Sequence, residues 1–511
     1  MKRLTALAVC LCILLVGCAA GEQAYVPTGN GLTWDEDYTG PVATLPPEEE
    51  QQDLVLTYYP DVTMNPLTCT NFTNRALFPL LYQGLFSLDR SYNAVPILCK
   101  SYTVSEDMRT YTFYLEYATF SNGSPVTAED VVASLETARQ SRYYGGRFTY
   151  INQIEATQDG GVSISLSIPY ENLPVLLDIP IIPKDEQESV RPLGSGPYIL
   201  SATDLGGALR QRSNWWCTSD LPIRQSSIRL IAAESPAQIR DNFEFGDLSL
   251  VCADPGTDRY VDYRCDYELW DCDNAGFLYL VCSKDSRIFS NDQVRTSLTH
   301  AIDRNLLVST YYRGFARSAT LPASPLSPYY SQTLASKYDY APEKMTQAVN
   351  NAGFTDANIV LLVNRDDSLR VRVARAIAQM LEECGLKVTM KEVNGVDYTD
   401  ALYTRSFDLY LGHTRLSPNQ DLSAFFAPYG ELSYGGVNDV ALYELCQLAL
   451  ENHGNYYSLH KAVMDDGALC PVLSNSFAVY ATRGLLTTLS PARDNIFCYS
   501  IGKTLEQVQV K

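Results

Sequence analysis

Behind Lys2 and Arg3, an apolar run extends from about Leu4 to Val16, and no later stretch of the 511-residue chain resembles a membrane segment. A permanent transmembrane helix needs about 20 apolar residues, so this run is too short to be one. Its layout of positive residues, apolar centre and small residues is that of a secretory signal. Residues 1–17 are therefore expected to leave, and everything after them to fold as a globular body outside the cytoplasm. That body is longer than one hydrophobic core usually organises, which predicts two or three lobes.

The leader ends in Leu15-Val16-Gly17-Cys18, which resembles the bacterial lipobox. That likeness implies diacylglycerol on the Cys18 thiol and attachment to the cell membrane through a lipid anchor. Residues 18–52 carry Gly, Pro, Thr and Glu without a sustained period and read as a flexible tether. The formal charge of −20 disfavours nucleic acid as a partner. Of 14 cysteines, Cys10 and Cys12 belong to the leader and Cys18 to the anchor. The spacings within Cys252, Cys265, Cys272 and Cys282 match no metal pattern. Buried thiols are expected there, and a disulfide within the cluster stays open.

The ordered body is expected to begin with the strand Asp53–Tyr59, followed by a helical stretch over Thr73–Tyr82. Thr110–Leu115 and Val162–Ile168 alternate with period two and read as strands. Thr127, three residues before Asp130, opens a helix with a near-capping box. Val294–Leu307 and Val371–Cys384 have helical periodicity, and the strands Ile359–Val363 and Leu386–Val393 flank the second, which predicts a βαβ unit.

Five segments carry a resemblance in a fixed order: Leu80–Phe86, Phe120–Val131 (FSNGSPVTAEDV), Gly194–Tyr198 (GSGPY), Val294–Arg304 (VRTSLTHAIDR) and Tyr340–Phe354. Together, from about residue 53 to 490, they resemble the extracytoplasmic solute-binding proteins of ABC importers, in family 5, which takes peptides and nickel chelates. The resemblance implies an α/β, two-lobe periplasmic-binding-protein-like fold of type II, with an inserted subdomain and a two-strand hinge. Lobe I would span 53–268, with the insertion at about 73–170, lobe II 269–470, and residues 471–511 would return to lobe I. It further implies a monomer that delivers a peptide or small-molecule ligand to ABC permease and ATPase subunits.

No catalytic arrangement competes with that reading. His300, His413, His453 and His460 show no H-E-x-x-H spacing, Asp465 and Asp466 are adjacent rather than opposed, and no G-x-S-x-G elbow is present. No enzyme activity, cofactor or metal is expected. A peptide receptor or sensor without transport, or a surface chaperone, is the alternative from another class; a surface hydrolase is a third.

For a ligand between the lobes, the junction segments offer Tyr58, Tyr59, Met64 and Asn65 after the first strand, and Trp270 on the first crossing strand. Lobe II offers His413, Arg415 and Tyr434. Peptide-binding relatives carry an aromatic residue and then an Asp near this point, the Asp pairing with an α-ammonium. Here His413 stands at the aromatic position and Arg415-Leu416 in the acidic neighbourhood. Arg415 is suited to a carboxylate or phosphate instead, or to solvent.

Overall fold

Two long strands, Glu268–Cys282 and Leu469–Ala481, organise the computed structural model by pairing antiparallel along most of their length, from Glu268 opposite Ala481 to Val281 opposite Leu469. The structure describes residues 53–499 apart from 204–205, 218–220, 222, 255–262, 485–490 and 494. The leader, Cys18 and the tether lie outside the described residues. Among the described residues no helix is long and apolar enough to cross a membrane.

The long pair is the middle of a mixed seven-stranded sheet. Leu250–Ala253 flanks the end of the second long strand, and Leu409–Arg415 flanks the first. Asn358–Asn364 and Lys387–Val393 complete the path, with Ala316–Ser318 beside the second long strand. Side chains of Phe277, Tyr279 and Val281 enter one core, and those of Leu278, Leu280 and Cys282 enter another. Both faces are covered, so the sequence FLYLVC reads as a continuous apolar run rather than an alternating one.

The βαβ unit is present: Asn358–Asn364 and Lys387–Val393 pair in parallel around the helix Ser368–Glu383. Asp367 caps that helix by accepting the Arg370 amide at 2.8 Å. The single helix expected over Val294–Leu307 is instead two, Asp292–Ala301 and Arg304–Tyr311. Asp303 caps the second by accepting the Leu306 amide, while Arg304 turns inward and donates to the carbonyls of Thr299, Ala319 and Pro471. Those buried bonds fix the break.

On the side carrying residues 53–253, Val55–Tyr58 runs parallel to Ser227–Ala232, and Gly206–Gln211 and Tyr198–Thr203 complete a four-stranded sheet. A second, antiparallel sheet holds Cys99–Val104, Thr110–Leu115, Val162–Leu166 and Ile151–Ala156. The helix Ala128–Arg139 packs on it, opened by a complete capping box: Thr127 Oγ1 accepts the Asp130 amide and Asp130 Oδ2 accepts the Thr127 amide. One core, from Leu54 to Tyr499, runs through both sheets. Thr73–Tyr82 forms two short helices, Phe72–Arg75 and Phe78–Leu81. Gly194 is required where the chain crosses the end of the second, since a Cβ there would lie 1.9 Å from the Leu81 carbonyl oxygen. Among the described residues eleven cysteines form no disulfide, seven of them are buried, and none of the cluster Cys252, Cys265, Cys272 and Cys282 is bonded to another.

Candidate functional site

The pairing of the long strands slips between Asp273 and Phe277, and this bulge builds the centre of the site. Ala275 takes a left-handed φ of 57° there. The Asp273 carboxylate accepts the Ala275 amide at 2.7 Å, and the Asn274 side chain accepts the Gly276 amide at 2.8 Å. Gly276 leaves the space that His413 fills; a Cβ on it would stand 3.0 Å from His413 Nε2. Across the ladder His413 faces Leu278 and Arg415 faces Gly276. Burial first, then the positive charges of Arg370 and Arg415, depress His413 to about 3. It is therefore a neutral imidazole at physiological pH, with Asn475 Nδ2 at 3.4 Å from its Nε2.

Arg415 leaves the strand end and donates through Nε to the Asn274 carbonyl at 3.1 Å. Its guanidinium stands 4.5 Å from the centroid of Tyr143, and that of Arg75 stands 3.4 Å from the same ring. Tyr143 belongs to the side carrying residues 53–253 and Arg415 to the opposite side, so this stack bridges the crossing strands. A groove of about 580 Å³ opens beside it, lined by Arg139, Phe148 and Tyr150 on one wall and by Arg415, Asp421 and Phe425 on the other. Tyr150 donates across it to Ser423 Oγ at 2.7 Å. Asp421 is raised by burial, and its carboxylate accepts both the hydroxyl and the amide of Ser423. Further contacts join the walls. Tyr92 donates to Asp273 at 2.6 Å, Arg493 Nη2 to the Leu416 carbonyl at 2.7 Å, and the Glu171 amide to the Leu450 carbonyl at 2.9 Å. The rings of Phe72 and Phe477 meet at a tilt of 39°, with centroids 3.8 Å apart.

The structure brings together His413 and Arg415 at the bulge, and sets other expected residues elsewhere. Tyr58 is fully buried in the first core, and Met64 is buried with its carbonyl accepting from Tyr82. Asn65 is buried too, and its Nδ2 braces the loop by donating to the carbonyls of Gln187 and Ser189. Tyr59 is half-buried, its backbone held by the Asn74 side chain. Trp270, half-buried on the first long strand opposite Val479, has a buried Nε1 with no protein hydrogen-bond partner. Tyr434 packs edge-on against Tyr403 beside the core holding Phe407 and Tyr410.

Sequence reasoning passed over Tyr143, Asn475, Phe477 and Arg493. The Arg142–Arg147 segment, RYYGGR, concentrates arginines and aromatics and is the signal that points to Tyr143. Arg493 has only its charge between Pro491-Ala492 and the apolar Ile496-Phe497 to mark it.

Against known proteins, the family model for bacterial extracellular solute-binding proteins, family 5, matches residues 93–435, more than half of the chain. A putative ABC transporter peptide-binding protein of Brucella ovis is 23% identical over 340 residues, covering 62% of this chain and 63% of that protein. The glutathione-binding protein GsiB of Escherichia coli is 25% identical over 342 residues, covering 64% and 66%. The chain thus spans somewhat under two thirds of the length of these relatives. The crystal structure of the ABC transporter substrate-binding protein CtaP from Listeria monocytogenes shares the fold at a TM-score of 0.70 and 17% identity, over 88% of this chain and all of that one.

Proposed function

Because the chain belongs to the bacterial extracellular solute-binding proteins of family 5, we propose that it is the lipid-anchored substrate-binding subunit of an ABC importer. In this reading Cys18 carries the anchor, and a monomer captures an oligopeptide or related small solute between two lobes and passes it to the permease. Lobe I is 53–268 with 471–511, and lobe II is 269–470. No bond is made or broken in the solute; specificity comes from a cleft that excludes water and so strengthens its polar contacts.

The observation that carries the reading is the paired crossing strands with their register break at Asp273–Phe277, flanked by the groove that Arg415 and Tyr150 line from opposite walls. A break of pairing between two cores is where a hinge bends with least loss of ladder bonds. Arg415, which lines the groove, and His413 beside it on the same strand are the proposed contacts, with Trp270 and Tyr59 as further candidates. Native mass spectrometry of the full chain, purified from a peptide-rich host, tests this. A retained mass that is released on denaturation and fragments as intact peptide is the expected result. Absence of any retained solute, together with no stabilisation by a peptide library, would overturn it.

A further inference from the structure

A separate cavity of about 110 Å³ is walled in part by Tyr143. It has room for a small polar group together with several waters. Among the described residues, three guanidinium groups line it, those of Arg75, Arg147 and Arg493, against one carboxylate, Asp178, in a chain whose formal charge is −20. Asp178 is already engaged in an ion pair with Arg147.

Arg493 is the group left over. It is 9% exposed, and Nη2 spends one donor on the Leu416 carbonyl. Its Nε is buried with no protein partner, and among the described residues no carboxylate pairs with it. Burial first, then the like charge of Arg147, disfavours its charged form, and Arg415 adds to the same side, while the Asp178 carboxylate offsets part of this. Asn495 lines the same cavity, and its Oδ1 is likewise buried without a partner. A buried guanidinium facing further guanidinium groups is stabilised when an anion answers it, and its planar fork matches an oxyanion in two-point contact.

We propose that this cavity is an oxyanion site, taking a carboxylate or phosphate group with Arg493 as its principal counter-ion. The inference rests on the solute-capture reading for the source of the anion, which would be an acidic end of the captured solute reaching past Tyr143. The wall continues from cavity to groove: Leu416, which accepts from Arg493, lines the groove, and Tyr143, which walls the cavity, stands beneath Arg415.

The full chain is titrated with orthophosphate and with succinate at ionic strength held constant by KCl. Tryptophan fluorescence reports the result, since Trp216 Nε1 donates to Gln83, a cavity residue. A saturable change absent with KCl alone is expected, weakened at least about 10-fold in Arg493→Gln and less in Arg493→Lys. Arg493→Gln keeps a donor for Leu416 and is expected to match or exceed the parent in thermal midpoint without anion. No saturable change in the parent, or an equal one in Arg493→Gln, overturns the proposal.

Native mass spectrometry of the parent separates the two readings and does not depend on a variant folding. A retained solute bearing a carboxylate or phosphate, lost when that group is esterified, supports the site and assigns the anion to the solute. A retained solute with no acidic group overturns the site and leaves solute capture standing. A saturable orthophosphate response that Arg493→Gln abolishes, with no solute retained and no stabilisation by a peptide library, supports the site as one for a free ion and sinks capture.

Discussion

His460 lies fully buried on the helix Tyr456–Asp466, against Tyr456 at 5.8 Å, and neither of its ring nitrogens has a protein hydrogen-bond partner. Burial alone depresses it from an ordinary value near 6.5 to about 3. The folded state therefore takes up this proton less readily than the unfolded chain. Its contribution to stability is complete above pH 6.5 and is lost as pH falls toward 3. Linkage between those two values gives a loss of about 2 kcal/mol on going from pH 8 to pH 5. His413 titrates in the same direction, and the raised carboxyls of Asp273 and Asp421 in the opposite one, so the parent's total slope is a mixture. Replacement by an apolar side chain of similar size isolates the one group. His460→Leu removes two unpartnered nitrogens and should equal the parent or gain up to about 1 kcal/mol at pH 8. At pH 5 its advantage should be larger by about 2 kcal/mol. Urea unfolding at both pH values, followed by fluorescence and analysed with a common slope, measures that difference of differences. If His460→Leu loses as much stability as the parent between pH 8 and pH 5, the neutral buried imidazole is refuted.

Gly194→Ala would drive a Cβ to 1.9 Å from the Leu81 carbonyl oxygen, so a loss of about 3 kcal/mol is expected; an unchanged thermal midpoint would show that the crossing can relax. Arg415→Ala should release a retained solute at least about 10-fold more readily while leaving the thermal midpoint of solute-free protein near that of the parent, because the side chain is exposed. Calorimetry with the solute identified by mass spectrometry reads this directly, and equal affinities would remove Arg415 from the site. Since Cys252, Cys265 and Cys282 form no disulfide with one another, adding dithiothreitol should move the melting temperature by less than about 1 °C; a drop of several degrees would reveal a cross-link.

What the sequence makes legible is what short-range periodicity encodes. The alternation of Thr110–Leu115 and Val162–Leu166, the Thr127/Asp130 cap and the βαβ unit around Ser368–Glu383 all follow from residues within a few positions of each other. The break between Ala301 and Arg304 does not, because the carbonyls that draw Arg304 inward belong to Ala319 and Pro471, the latter 167 positions away. The same distance hides the site. Tyr143 meets Arg415, and Leu416 meets Arg493, only after the chain has crossed twice between the two sides. Tyr58 and Tyr59 illustrate a subtler limit. Alternation says that one of them faces the core, but the side is fixed by pairing with Ser227–Ala232, far along the chain.

The bulge that sets His413 in place also links the two sides electrostatically. Asp273 receives Tyr92 from the side carrying residues 53–253 and Ser324 Oγ, at 3.1 Å, from the other, while its own strand has lost its register. If the proposed hinge bends at 274–276, few ladder bonds break, because the register between the long strands is already lost from Asp273 to Phe277. Burial raises that carboxyl, and the positive charges of Arg317 and Arg493 work against the rise. Arg493 thus has two claimants: Asp273, through charge, and the oxyanion proposed for its cavity. An anion bound there withdraws part of the positive field that favours ionised Asp273, and so strengthens the case for its protonated, hydroxyl-bonded form. If the proposed site takes an acidic solute, its capture and the protonation of Asp273 are coupled, and by linkage each biases the other equally.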